Sequence, residues 1–330
     1  MFRIVAAILV VAIHTEPFLD QNAYVGFFAS QVITRIAVPF FFCISGYYFY
    51  QGLQKGKIGV KDTAWRYFKY YGFWTLVYYV LDIVTILARG EKTIDWFSYI
   101  EDFFLFGSVY HFWYFVAIIV SVIVFGISYR IGITKWIVLI SMGFYVFGVL
   151  SSSYFYLFEN VAFFKVLHDF QHFVTVRRIL FTGLPFFCVG FYVERLLELE
   201  NNRRTTWKVM VFGGLFLVEI FGVKFLNLAD NITITFGLYF LTIYGVVLLL
   251  KLPLSGYERI AKTCRGLATY IYCVHPMFII LLSYFGFYIH LNNFFKFSFI
   301  LVVCLVTWFL LKFLNMKLNS KIIKRYIVDN

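Results

Sequence analysis

Long apolar stretches recur from one end of this chain to the other, and no other feature limits its fold as strongly. A helix needs roughly 20 apolar residues to cross the hydrocarbon of a bilayer. Ten candidates stand near Arg3–Phe18, Val32–Tyr50, Phe68–Ala88, Phe112–Tyr129, Trp136–Phe158, Arg178–Leu196, Val209–Val223, Ile232–Leu250, Leu267–Phe287 and Phe297–Phe313. Of the 330 residues, 62% are hydrophobic, 23% aromatic and only 14% charged. A soluble domain carries about 25% charged residues, and no aqueous core could bury this much Phe, Tyr, Ile and Val. In hydrocarbon each backbone N–H and C=O must be paired within its own segment, so stretches of this length imply helices. The expected fold is an all-α integral membrane bundle of about ten transmembrane helices. One membrane domain is expected over residues 1–330 with no separate soluble domain, since the longest hydrophilic stretch runs only from Gln51 to Trp65.

Charge sets the expected orientation. With the N-terminus inside, 21 of the 29 Lys and Arg residues fall in inner segments, as the positive-inside rule requires. The segment with Glu91, Asp95, Glu101 and Asp102 then lies outside. Both ends are expected in the cytoplasm, in a multi-pass protein of the cell membrane. The net charge of +12 is not a nucleic-acid footprint, because the cations sit in short clusters between apolar runs. Cys43, Cys188, Cys264, Cys273 and Cys304 lie in or beside apolar segments without a CxxC pair, so they are expected to be packing residues rather than metal ligands or disulfides.

Ionisable groups inside a membrane are costly, and each raises a functional question. Arg3 and His14 are eleven residues apart, about 20° past three full turns, and therefore share one helix face some 16 Å apart. His14 is the natural proton acceptor near neutral pH. Glu16 can orient its imidazole or stand as a solvated rim carboxylate. Arg66 and Lys69 point the same way at i and i+3; they suit the phosphates of a cytosolic donor or serve as an ordinary basic flank. His111 and Trp113 open the fourth stretch at its outer end. His275 precedes Pro276 and follows Tyr270 and Tyr272, a break suited to a cavity wall. His168 and His172 form an i, i+4 pair with no third ligand of recognisable spacing, which favours solvated histidines over zinc. An internal echo joins Pro39-Phe-Phe-Phe-Cys-Ile-Ser45-Gly46 to Pro185-Phe-Phe-Cys-Val-Gly190, each with an Arg shortly before its Pro (Arg35 and Arg178). It fits a duplicated fold or a shared helix-packing need.

Taken in order, these segments resemble the acyltransferase family 3 membrane proteins. The likeness rests on Arg3 with His14, the run from Arg35 through Pro39 to Ser45-Gly46, the basic Arg66–Lys69 pair, His111-Phe-Trp113, Phe186-Phe-Cys-Val-Gly190 and Tyr272-Cys-Val-His275-Pro276. Within the family, His14-Thr-Glu-Pro17 and the Pro39 run look most like the membrane half of VanT-type serine racemases. The resemblance implies transfer of an acyl group, commonly acetyl, from cytosolic acyl-CoA to an extracytoplasmic hydroxyl, typically on a cell-envelope sugar. It implies acyl-CoA as co-substrate, no resident cofactor and no metal. Arg3 and His14 would form the functional centre with Glu16. Arg66 and Lys69 would grip the donor, the Lys standing where the family usually has a second Arg, which keeps the charge but weakens bidentate binding. Arg35, Ser45, His111, Trp113, Arg178, Tyr272 and His275 would line the cavity. The racemase likeness keeps open an amino-acid (L-serine) carrier, and a scaffold in envelope-polymer synthesis is a third reading. Expected partners are the bilayer, acyl-CoA, an envelope carbohydrate or small hydroxylated acceptor, a racemase or polysaccharide-synthesis protein, and no nucleic acid.

Overall fold

Each of the ten apolar stretches contains a helix in a computed structural model of the chain, which describes residues 2–88, 90, 95–169, 176, 178–230, 232–253, 256–284, 286–318, 320 and 326–327. The helices are α1 (Phe2–Thr15), α2 (Ala37–Gln54), α3 (Val60–Ala88), α4 (Trp113–Arg130), α5 (Thr134–Ser152), α6 (Leu184–Leu199), α7 (Asn202–Phe225), α8 (Phe236–Leu250), α9 (Glu258–Ser283) and α10 (Asn293–Leu318). Among the described residues there is no strand. Among the described residues seven helical segments are long and apolar enough to span a membrane. The helices α1 and α8 are apolar but shorter, and α7 carries Arg203, Arg204 and Lys208 near one end and Glu219 and Lys224 near the other.

Several boundaries differ from the sequence expectation, each for a local reason. The first helix stops at Thr15 rather than Phe18, because the residue before a proline is pushed out of the helical region and Pro17 follows Glu16. The second stretch begins helical structure at Ala23 but passes through a π-helical turn (Phe28–Val32) and a 3₁₀ turn (Ile33–Ile36) before α2. Pro39 has no N–H to give to the Arg35 carbonyl, so the ladder loosens just upstream of it. A π turn (Ile179–Gly183) also precedes α6 and Pro185, so the echo extends from residue identity to backbone form. The fifth stretch ends at Ser152, where Ser151 and Ser152 both turn their hydroxyls onto the Gly148 carbonyl, and a separate turn covers Phe155–Phe158. Ile232 lies ahead of the eighth helix, which starts at Phe236, and the ninth ends at Ser283 with a short turn at Gly286–Ile289.

The chain divides into two compact units, residues 1–41 with 252–330 and residues 42–251, the boundary falling inside α2. In the first unit α1 packs on α9 and α10, which also pack on each other. Its buried face is built from Ala6, Ala7, Val10, Val11 and Ala12, small residues that let helix backbones approach closely in lipid.

The second unit is organised on α6, whose residues from Leu184 to Gly190 are all buried and which packs on α4, α5 and α8. It crosses α2 at glycine: a Cβ on Gly46 would stand 1.9 Å from the Phe187 carbonyl oxygen, and one on Gly190 2.4 Å from the Tyr47 nitrogen. The two glycines of the echo are thus partners in one backbone contact. At the N-terminus of α8, Glu219 of α7 accepts hydrogen bonds from Phe236 N–H (2.8 Å), Gly237 N–H (2.7 Å) and the Tyr154 hydroxyl (3.0 Å). The carboxylate thereby satisfies helix-start donors that lipid could not.

Candidate functional site

The turn that ends α1 is locked from several sides. Thr15 gives its hydroxyl to the Val11 carbonyl (2.9 Å), and Glu16 follows in the left-handed region at φ 46°. A non-glycine residue there costs energy unless its surroundings hold it. Asn293, the first residue of α10, donates its side-chain amide to the Glu16 carbonyl (3.1 Å), while its backbone N–H donates to Asp20 (2.9 Å). The Glu16 carboxylate accepts from Gln31 (3.5 Å), and Arg35 in turn donates to the Gln31 amide oxygen. Arg35 therefore reaches Glu16 through one intervening side chain, all within the first unit.

Directly before this turn stands His14. Its ring stacks on that of His275, centroids 5.4 Å apart and planes 25° apart. Pro276 interrupts the α9 ladder by removing the N–H that would meet the Tyr272 carbonyl. Fully buried, His275 places Nδ1 2.9 Å from the Ile271 carbonyl. A carbonyl only accepts, so Nδ1 carries a proton. The Tyr272 ring lies 6.4 Å from that of His275. A cavity of about 290 Å³ opens beside His14, lined also by Thr15, Glu16, Ser283, Asn293 and Lys296 with an apolar wall of Ile279 and Ile289. At the other end of α1, Arg3 is half-buried. Positions 3, 7, 10 and 14 follow one stripe of a helix, and Ala7 and Val10 on that stripe are buried.

The first unit thus brings His14, Glu16, Arg35, Tyr272 and His275 into one constellation, with Arg3 on the same helix as His14. The remaining candidates belong to the second unit, in different settings. Near the start of α3, Arg66 is exposed with its guanidinium 5.5 Å over the Tyr67 ring, and Lys69 stands 5.9 Å over Trp65. Trp65 stacks on Phe68 (5.3 Å, 15°). His111 is buried, 3% exposed, among the rings of Phe112 (4.2 Å), Tyr110 (5.4 Å) and Tyr78 (5.7 Å). Tyr78 is some 13 to 18 Å along α3 from Lys69 and Arg66 at helical rise, so that pair and His111 are well separated. Arg178 is exposed and lies 5.5 Å over Trp113, whose ring meets Phe42 at 6.0 Å. Ser45 is half-buried beside the Gly46 crossing. His168, expected as a solvated loop histidine, lies on a short helix (Ala162–Asp169) and stacks on Phe155 at 3.7 Å; His172 is outside the described residues. Of the cysteines, four are buried and Cys264 is half-buried.

Sequence reasoning passed over Gln31, Asn293, Ser283 and Lys296. Gln31 had a usable signal, a polar residue in an apolar run one helical turn before Arg35. Lys296 had another, as one of the few cations outside the inner basic clusters. Asn293 had none, because only the packing of α1 against α10 brings it to Glu16.

Apolar helices long enough to cross a bilayer, with no strand among the described residues, define a multi-pass helical membrane protein. Residues 1–313 match the acyltransferase-3 family, described as "Acyltransferase domain". The chain belongs to that family. It is also similar to an "Amino-acid racemase" of Enterococcus faecalis, 27% identical over 334 residues covering 98% of this chain and 46% of that protein. A "Serine/alanine racemase" of Enterococcus gallinarum is 27% identical over 230 residues, 67% of this chain and 31% of that protein. The chain spans less than half the length of these curated relatives. No solved structure matches it.

Proposed function

We propose that this protein is a membrane O-acyltransferase that moves an acyl group, acetyl in the simplest case, from cytosolic acyl-CoA to a hydroxyl on the extracytoplasmic side. The observation that carries the reading is the buried His275 stacked on His14 at the edge of a cavity, in a chain of the acyltransferase-3 family. A histidine so placed can take the proton of an acceptor hydroxyl as its oxygen attacks the thioester carbonyl carbon. The tetrahedral intermediate then expels the CoA thiolate, the new C–O bond replaces the C–S bond, and the proton passes from His14 to the leaving sulfur. His275, held by Ile271 and Pro276, orients the His14 ring. Glu16, fixed by Gln31 and Asn293, lines the same cavity. Arg66 and Lys69 take the donor's phosphates by charge, and Arg3 takes the donor on the same helix as the base. The acceptor is a cell-envelope carbohydrate or a small hydroxylated compound, and the protein works in the cell membrane with both ends inside.

His14→Gln tests this reading. The amide keeps size and hydrogen bonding but cannot serve as a base, and loss of a positioned base lowers rate by about 10²–10⁴-fold. The variant should fold and bind acyl-CoA yet transfer no label from [¹⁴C]acetyl-CoA to envelope material. Transfer at the wild-type rate would remove His14 from the reaction. The racemase names of two relatives favour a second reading, a carrier that supplies an amino acid such as L-serine to a racemase. Accumulation of labelled serine by purified protein in liposomes, with no binding or turnover of acyl-CoA, would establish the carrier instead.

A further inference from the structure

The cavity beside His14 contains a cation for which transfer to a neutral hydroxyl has no use. We infer that Lys296 makes this cavity selective for an anionic acceptor, a hydroxylated compound bearing a carboxylate. The inference names the substrate class of the site proposed above and rests on that reading only in calling the ligand an acceptor.

Lys296 lies in the first turn of α10, which starts at Asn293. The partial positive charge of a helix N-terminus disfavours an ammonium there, so helix stability does not account for this residue. No carboxylate among the described residues is paired with it either. Among the described residues no carboxylate lies within ion-pair distance of Lys296, the ion pair found being Lys208–Glu200. The two nearby acids accept neutral donors, Glu16 from Gln31 and Asp20 from the backbone N–H of Asn293, rather than forming an ion pair with Lys296. With the N-terminus inside, this end of α10 is extracytoplasmic, where lysine is disfavoured as a topology signal. An ammonium kept against the helix dipole and without a carboxylate partner, in the wall of a cavity that includes His14, suits an incoming anion.

Charge and size narrow the class. Lys296 and Glu16 line the same cavity, so a singly charged carboxylate on Lys296 leaves less net repulsion from Glu16 than a dianionic phosphate would. A volume of about 290 Å³ is at the small end of small-molecule sites. It admits one hydroxy acid or the terminal unit of a polymer, with the hydroxyl toward His14 and the carboxylate toward Lys296.

The test uses the full chain in lipid nanodiscs without acyl-CoA, so its outcome is independent of transfer. Calorimetric binding is compared within three pairs that differ in the carboxylate: glycerate and glycerol, serine and serinamide, glucuronate and glucose. At least one acid should bind about 10-fold or more tightly than its counterpart, the effect of one hydrogen bond between charged groups. Lys296→Met should abolish the difference while melting like wild type, and Lys296→Arg should keep most of it. No preferred acid in any pair, or a preference that survives in Lys296→Met, overturns the inference. Acid binding without any acyl transfer would leave Lys296 in place and sink the proposed function. His14-dependent transfer that proceeds equally well in Lys296→Met would do the reverse. In cells, label from acetyl-CoA recovered in free hydroxy acids or in acidic polymer ends identifies the source of the carboxylate, and label on a carboxylate-free product overturns the inference.

Discussion

Removing the Glu219 carboxylate should be among the most damaging single polar changes in the second unit. Three donors converge on it: Phe236 N–H at 2.8 Å, Gly237 N–H at 2.7 Å and the Tyr154 hydroxyl at 3.0 Å. A hydrogen bond to a charged group contributes about 1.5–3 kcal/mol, and contributions to one acceptor do not add fully. Two of the donors are helix-start N–H groups, which Thr235 relieves only at Leu238 (3.3 Å), and an N–H left without a partner costs a further 1–3 kcal/mol or so. Glu219 is half-buried, so water can replace part of what is lost. Glu219→Ala is therefore expected to destabilise by about 3–5 kcal/mol. Glu219→Gln should cost about 2–3 kcal/mol, because its amide NH₂ would face another donor. Tyr154→Phe removes one bond and leaves two, and should cost about 1 kcal/mol. Steric-trap unfolding in bicelles measures these differences directly. The Tyr154–Glu219 double-mutant cycle should return a coupling of at least about 0.5 kcal/mol. A loss below about 1 kcal/mol for Glu219→Ala, with no coupling to Tyr154, would refute the idea that this carboxylate closes the start of α8.

Other expectations follow from the same geometry. Gly46→Ala and Gly190→Ala each drive a methyl into backbone and should abolish folded protein on size exclusion, whereas Gly143→Ala and Gly222→Ala, with open space at the new methyl, should be neutral or stabilising by up to about 1 kcal/mol. A cysteine placed between Leu53 and Asp62 should resist an impermeant maleimide on intact cells and react after permeabilisation; labelling of intact cells would reverse the assigned orientation. Charge reversal of Arg66 and Lys69 together to Glu should weaken acyl-CoA binding by at least about 10–100-fold, at roughly 1.5–3 kcal/mol per lost contact, with the protein still in the membrane. Unchanged binding would return the pair to an orientation signal.

The separation between what could be read early and late follows the range of the forces involved. Hydrophobic length is a local property, so the helical, membrane-spanning character of the chain, the helix shared by Arg3 and His14 and the break at Pro276 were all legible along the chain. The ends of α1 and α5 were not, because Pro17 and the serine back-bonds to Gly148 decide them inside stretches that remain apolar. Likewise Pro39 displaces the start of α2 through a π and a 3₁₀ turn that hydropathy does not register.

Long-range pairings escaped for a different reason. His275 meets His14, and Asn293 meets Glu16, across more than 250 positions, and nothing in either local pattern names the other partner. The echo around Pro39 and Pro185 was visible as a repeat, but only packing shows that Gly46 and Gly190 close the same contact. The sequence by itself determined that this chain must satisfy its backbone in helices within a bilayer, since its composition leaves no other solvent for its side chains. Tertiary structure decided which polar groups share a cavity, because in lipid the apolar face of a helix is no guide to its neighbours, and close packing and interhelical hydrogen bonds select them instead.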